Sequence, residues 1–177
     1  MKLNSIFNIN YIDHYAVIVH DIEASKQFHI DCLGFSLVNS YKLQTSNKND
    51  DDDTFSIVLS KINNFGREVC VLNQPLNEFS FLNPYIYKYG EGIHHIAYAV
   101  DNIEQEFEKG LKNNISFTSN EIVIDYNNNL KQVFIDRKYT GYFIELVERG
   151  DSIVQQDSNL FSQENVKNLI ISTATNL

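Results

Sequence analysis

Two stretches of this chain read alike. Asp13-His14-Tyr15-Ala16-Val17-Ile18-Val19-His20-Asp21-Ile22-Glu23 is followed, 81 positions on, by His94-His95-Ile96-Ala97-Tyr98-Ala99-Val100-Asp101-Asn102-Ile103-Glu104. At that fixed offset His, Ala, Val, Ile and Glu recur together, and two copies of one unit are the simplest explanation. Each copy reads as an alternating strand with a His near its start, then Asp21 or Asn102 as a helix N-cap, then an amphipathic helix. Like residues of a repeat take like positions, so His14 and His95 are expected to face one another.

The repeat can be extended on both sides. A strand over 12–19 and a helix over 22–33, stopped by Gly34, are followed by strands over 35–43, 55–62 and 68–73, with Asn63-Asn64-Phe65-Gly66 as a turn. The second unit repeats the order: a strand over 93–100, a helix over 103–112, and strands near 116–117, 130–135 and 142–147, with Asp125-Tyr126-Asn127-Asn128-Asn129 as a turn. The expected fold is α+β: two paired β-α-β-β-β modules, 11–74 and 92–149, forming a half-open eight-stranded barrel within one domain of residues 1–150. Residues 1–10 read as a polar lead and 75–91 as a linker. Residues 150–177 form a tail with a helix over 162–174, whose apolar side carries Val166, Leu169 and Ile170.

Composition restricts the partners. The 177 residues carry a formal charge of −9 and no Lys/Arg-rich run, which argues against nucleic acid and against an anionic membrane surface. Cys32 and Cys70 match no zinc spacing, and no signal-like start or long apolar run is present, so a reduced cytoplasmic protein is expected. Asp50-Asp51-Asp52-Asp53 reads as a solvated loop, because consecutive carboxylates diverge and repel.

Glu145, in Phe143-Ile144-Glu145-Leu146-Val147, sits among apolar residues where an isolated carboxylate is costly. A cation would compensate it, and His14, His95 and Glu145 together make a two-histidine, one-carboxylate set with coordination positions left open. Sliding Val69-Cys70-Val71-Leu72 onto Ile144-Glu145-Leu146-Val147 gives Glu145 a counterpart in Cys70, which reads as a small buried apolar residue rather than a ligand. Strand parity points His94 away from the site, and His20 and His29 read as structural or surface residues.

Over residues 12–148 these features resemble the glyoxalase, or vicinal oxygen chelate, superfamily, whose paired modules hold one divalent metal. Gly90-Glu91-Gly92-Ile93-His94-His95-Ile96-Ala97 also looks like methylmalonyl-CoA epimerases. Those enzymes place a fourth ligand, Gln or Glu, at the position aligned with Cys70, and use a further Glu base that has no counterpart here. The catalytic half of 4-hydroxyphenylpyruvate dioxygenases is a closer likeness. It binds Fe(II) with two His and one Glu, and has segments similar to Phe55-Ser56-Ile57-Val58-Leu59, Leu72-Asn73-Gln74-Pro75 and Leu130-Lys131-Gln132-Val133-Phe134. That resemblance implies that Ser56 and Gln132 face the substrate as catalytic or binding groups, and that Phe134 is a ring-stacking wall. Phe161-Ser162-Gln163-Glu164-Asn165 has the spacing of the dioxygenases' C-terminal gating helix. It implies that Phe161 lies against the substrate.

The expectation is therefore a metal-dependent enzyme, an Fe(II) dioxygenase acting on a small 2-oxo acid or a similar bidentate oxygen ligand. The alternatives are an epimerase, isomerase or lyase using Zn, Co, Ni or Mn, and a binding protein without chemistry. Exposed module edges allow a homodimer.

Overall fold

The computed structural model describes residues 5–48, 50–126, 128–150 and 160–174. Residues 1–4 of the lead, Asn49 of the acidic loop, Asn127 of the expected turn, and 151–159 and 175–177 of the tail lie outside them.

The two repeats fold as the same five-element unit. The first is β1 (Tyr11–Ile18), α1 (Ile22–Leu33), β2 (Ser36–Leu43), β3 (Thr54–Asn63) and β4 (Gly66–Pro75). A helix α2 (Asn83–Tyr89) then leads to the second unit: β5 (Gly92–Ala99), α3 (Ile103–Lys112), β6 (Val123–Asp125), β7 (Leu130–Ile135) and β8 (Phe143–Arg149). The tail contributes α4 (Gln163–Ala174). The two repeated helices begin by the same device: Asp21 Oδ1 accepts the Ala24 N–H, and Asn102 Oδ1 accepts the Gln105 N–H. Gly34 ends α1 at φ 75°, a left-handed conformation that costs glycine little.

All eight strands join one curled sheet in the order β2-β3-β4-β1-β5-β8-β7-β6. The two units meet at the antiparallel β1/β5 pair, and each unit's last strand lies parallel to its first, β4 beside β1 and β8 beside β5. The outer face carries one apolar cluster under each repeated helix. Ile22, Phe35, Ile57, Leu59, Cys70 and Leu72 form the first, and Val100, Ile103, Val133, Ile135 and Leu146 the second. The concave face forms a single cluster that takes in Ala16, Val71, Ala97, Phe134, Phe143 and Val147 from the strands, Leu82 and Tyr85 around α2, and Val166, Leu169 and Ile170 of α4.

Several expectations change. The sixth strand is Val123–Asp125 rather than 116–117; Phe117 makes only an isolated bridge to Ile135 and otherwise packs beneath α3. Asp125 therefore ends a strand instead of opening a turn, and its buried carboxylate accepts from Asn128 Nδ2 and Ser162 Oγ. Part of the expected linker is α2, with Pro84 in its first turn, where a missing N–H costs nothing. The lead is not merely polar, since Phe7 joins the second outer cluster and Asn10 N bonds the Ala99 carbonyl. Asp50, Asp51 and Asp52 are exposed as expected, but Asp53 is fully buried. Its carboxylate accepts from the backbone N–H groups of Thr45 and Ser46 and from the hydroxyls of Thr45 and Thr54, and this satisfies the charge. Both cysteines are free, Cys32 exposed and Cys70 buried. No described helix is long and apolar enough to cross a membrane.

Candidate metal centre

His14 on β1, His95 on β5 and Glu145 on β8 converge beneath α4. Their ligand atoms all lie within 4.8 Å of one another, and all three residues are buried. His14 Nε2 is 3.2 Å from His95 Nε2, and Glu145 Oε2 is 3.2 Å and 3.3 Å from these two nitrogens. Close as they are, neither oxygen of Glu145 completes a hydrogen bond. The other ring nitrogens explain why. His14 Nδ1 is 2.8 Å from Asp13 Oδ1 and His95 Nδ1 is 2.9 Å from His94 Nδ1. When each candidate ligand histidine donates through Nδ1, both Nε2 lone pairs face an unsatisfied buried carboxylate, an arrangement that a divalent cation would relieve. The donor set of two imidazoles and one carboxylate suits a divalent first-row ion.

The surroundings are electrostatically unequal. Asp13 is held by two bonds of 2.7 Å to Arg149. Burial opposes ionisation of its carboxyl, but Arg149 and His14 outweigh burial and hold it far below the usual range. Burial also opposes charge on His14, yet Glu145 and Asp13 raise it from 6.5 to about 9, so that without an ion a proton would serve in its place. His95 goes the other way, pushed well below 6.5 by burial and then by His94 and His14. Burial, with the charge of Arg137, lowers His94 to about 3.

His94 was expected to point away, and it does not. On β5 the register runs from Ala16↔His95 to Val17↔Ile93, so His94 is an unpaired bulge residue whose side chain turns to the same side as His95. Its ring sits between Tyr85, with centroids 5.0 Å apart, and Phe143, at 5.3 Å. His29 is a helix residue as expected, its Nδ1 2.8 Å from the Ser25 carbonyl oxygen.

Cys70 is also misplaced by the sequence alignment. Ala16 pairs with Val71, whereas its repeat mate Ala97 pairs with Glu145, so Val71 is the counterpart of Glu145. Cys70 faces the outer cluster with its sulfur 3.7 Å from His29 Nε2, and burial pushes its thiol up to about 12. The fourth position is apolar.

Two of the residues named by resemblance pack on the histidines of the triad. The Phe134 and His95 ring centroids are 5.2 Å apart, and the Phe161 and His14 centroids 4.8 Å. Gln132 is fully buried; its Oε1 accepts from Asn165 Nδ2 at 2.6 Å, leaving Gln132 Nε2 and Asn165 Oδ1 without partners. Ser56 stands one layer back, its hydroxyl donating to Asn73 Oδ1, and it is Asn73 that lines the cavity. The space left between His14, Val71, Asn73, His94, His95 and the Phe161–α4 cover is about 20 Å³, room for a single water. A larger cleft of about 390 Å³ lies beside Asp13 and Arg149 and does not include His14.

Sequence reasoning named neither Asp13 nor Arg149 as a site residue, and it set His94 aside; Asn73 and Asn165 lay within segments that carried the resemblance but were not singled out. Asp13 and His94 each precede a candidate ligand histidine, which was a visible signal.

The sequence profile of the Glyoxalase/Bleomycin resistance protein/Dioxygenase superfamily matches residues 13–132. The chain belongs to this superfamily. Solved structures with the same fold include a hypothetical protein from Bacillus halodurans C-125, 24% identical, covering 80% of this chain and 96% of its own, with a TM-score of 0.64. A methylmalonyl-CoA epimerase in complex with methylmalonyl-CoA and NH4+ is 21% identical, covering 83% and 99%, with a TM-score of 0.64. The methylmalonyl-CoA epimerase of Mycobacterium tuberculosis is 24% identical, covering 85% and 93%, with a TM-score of 0.63. No curated protein sequence matches the chain significantly.

Proposed function

We propose that this member of the superfamily is a metal-dependent enzyme in which His14, His95 and Glu145 hold a divalent ion that is chelated by a small bidentate oxygen ligand. The orphan carboxylate of Glu145 facing two histidines carries this reading. Such an ion would polarise the chelated oxygens and, as Fe(II), activate O2.

One reaction such a centre would serve is oxygen-dependent turnover of a small 2-oxo acid, a reading that rests on the residues' resemblance to the dioxygenases, whereas the structural likenesses favour an epimerase or isomerase. Val71, apolar at the fourth position, would leave positions on a bound ion open to substrate and O2. Gln132 Nε2 supplies an unpaired buried donor on β7, the strand beside β8, while Phe134 and Phe161 pack on the two histidines. With the Phe161–α4 cover in place only about 20 Å³ remains, so this cover must shift to admit substrate and would exclude water once closed. Gln132, Phe134 and Phe161 are the substrate-contacting groups of this reading, and Ser56 acts from one layer back by holding Asn73.

A second reading, epimerase or isomerase, is favoured by the likeness to two methylmalonyl-CoA epimerases. A proton shuttle of that kind needs a base at the cavity. The residues lining the 20 Å³ space with the cover in place include no carboxylate, so such a base would have to be Glu145 behind the histidines or a group brought in when the cover shifts.

Metal analysis of protein purified without oxygen, followed by an oxygen electrode with a panel of 2-oxo acids, tests both. Iron at one equivalent and substrate-dependent oxygen uptake support the first reading. Solvent deuterium incorporation without oxygen uptake would establish the second. The absence of tight metal binding, or binding that survives His14→Ala, His95→Ala and Glu145→Ala alike, would sink both.

A further inference from the structure

The two ligand histidines are prepared by the same backbone irregularity. On β1 the pairing with β5 skips between Ile12 and His14, leaving Asp13 unpaired, and on β5 it skips between Ile93 and His95, leaving His94 unpaired. In a regular strand the residue before a ligand points to the opposite face; an extra residue in the ladder lets it turn back. Asp13 uses that freedom to reach His14 Nδ1 at 2.8 Å, and His94 to reach His95 Nδ1 at 2.9 Å. One device therefore appears twice, once in each half of the repeat, with a carboxylate in one copy and an imidazole in the other.

We infer that His94 is a positioning residue that accepts the Nδ1–H of His95 and so holds His95 in the tautomer whose Nε2 is free to bind a metal. Two Nδ1 atoms this close must share one proton. Were His94 the donor, His95 would carry its own proton on Nε2, aimed at His14 and Glu145, and could not be a ligand. The ring of His94 has little freedom to leave, since Tyr85 and Phe143 enclose it and the Tyr85 hydroxyl is anchored on the Ile93 carbonyl. Orienting partners of this kind are worth about 10- to 100-fold in metal affinity.

The inference rests on the metal reading, and the test separates the two. Co(II) titrations would be run on the full chain and on two variants: His94→Asn, whose Oδ1 can accept where Nδ1 does, and His94→Phe, which keeps the ring but removes the acceptor. Wild type and His94→Asn should bind Co(II) with similar affinity and the same visible spectrum. His94→Phe should bind about 10- to 100-fold more weakly with an altered spectrum. Unchanged affinity and spectrum in His94→Phe would overturn the role of His94 while leaving the metal centre standing. Failure of the wild-type chain to bind Co(II) would instead overturn the metal reading and this inference with it. Nitrogen-15 spectra of the Zn(II)-loaded wild-type protein test the same point without a variant. His94 should be protonated at Nε2 and His95 at Nδ1, and a proton on Nδ1 of His94 would refute the assignment.

Discussion

Val71 occupies in the first half of the sheet the place that Glu145 occupies in the second, because Ala16 and Ala97, mates in the repeat, pair with these two residues. In the proposed centre the duplicated scaffold would offer four ligand positions and fill only three. Val71→Glu should supply the fourth: Zn(II) should bind about tenfold more tightly, equivalent to roughly 1.4 kcal/mol, while oxygen-dependent turnover falls. In EDTA-treated protein the same substitution should lower the melting temperature, because an unpaired carboxylate is then buried. A competition titration and a thermal melt check both; unchanged turnover would show that the fourth position is not used.

The pH dependence of the EDTA-treated protein follows from His14. Its pKa is raised by folding from 6.5 to about 9, so the folded state binds the proton more tightly than the unfolded state. The contribution is complete below 6.5 and is lost as pH rises through 9. Urea midpoints measured across that window should fall for wild type and fall less for His14→Gln. A metal that displaces this proton should bind more tightly as pH rises, approaching tenfold per unit in the window. A flat wild-type profile would contradict this.

The two thiols should separate cleanly. Cys32 is exposed, and Cys70 is buried with its thiol raised to about 12. A maleimide at pH 8 should label one thiol per folded chain and the second only after unfolding. Rapid labelling of both in the folded protein would contradict the placement of Cys70 in the outer cluster.

The tail is tied down at several points: Tyr41 OH donates to the Phe161 carbonyl, Arg149 Nη1 to the Leu160 carbonyl, and Ser162 Oγ to Asp125. Leu169 is buried against the concave face, so Leu169→Ala should cost about 2–5 kcal/mol in urea unfolding. Phe161→Ala should raise the water-proton relaxivity of the Mn(II)-loaded protein by opening a path to His14. Relaxivity equal to wild type would show that Phe161 does not shield the metal.

Much of this protein is legible in its sequence because it is written twice. The offset between His14 and His95, the Asp21 and Asn102 caps and the alternation of each strand are local signals, and the same chemistry at the same phase yields the same unit. Glu145 stood out because a lone acid between Ile144 and Leu146 demands a partner. What only the tertiary structure decided begins where the repeat loses its markers. Between Val69 and Leu72 no residue fixes the phase, and an error of one position exchanges the two faces of a strand, which is how Cys70 displaced Val71. The bulges at Asp13 and His94 cannot be seen in an alternation pattern, since a bulge is a property of the ladder between two strands and resets the parity within one. The apolar stripe of α4 announced that the helix needed cover. Its place over His14 was set by the concave face it fills, a choice made by contacts far apart in the chain.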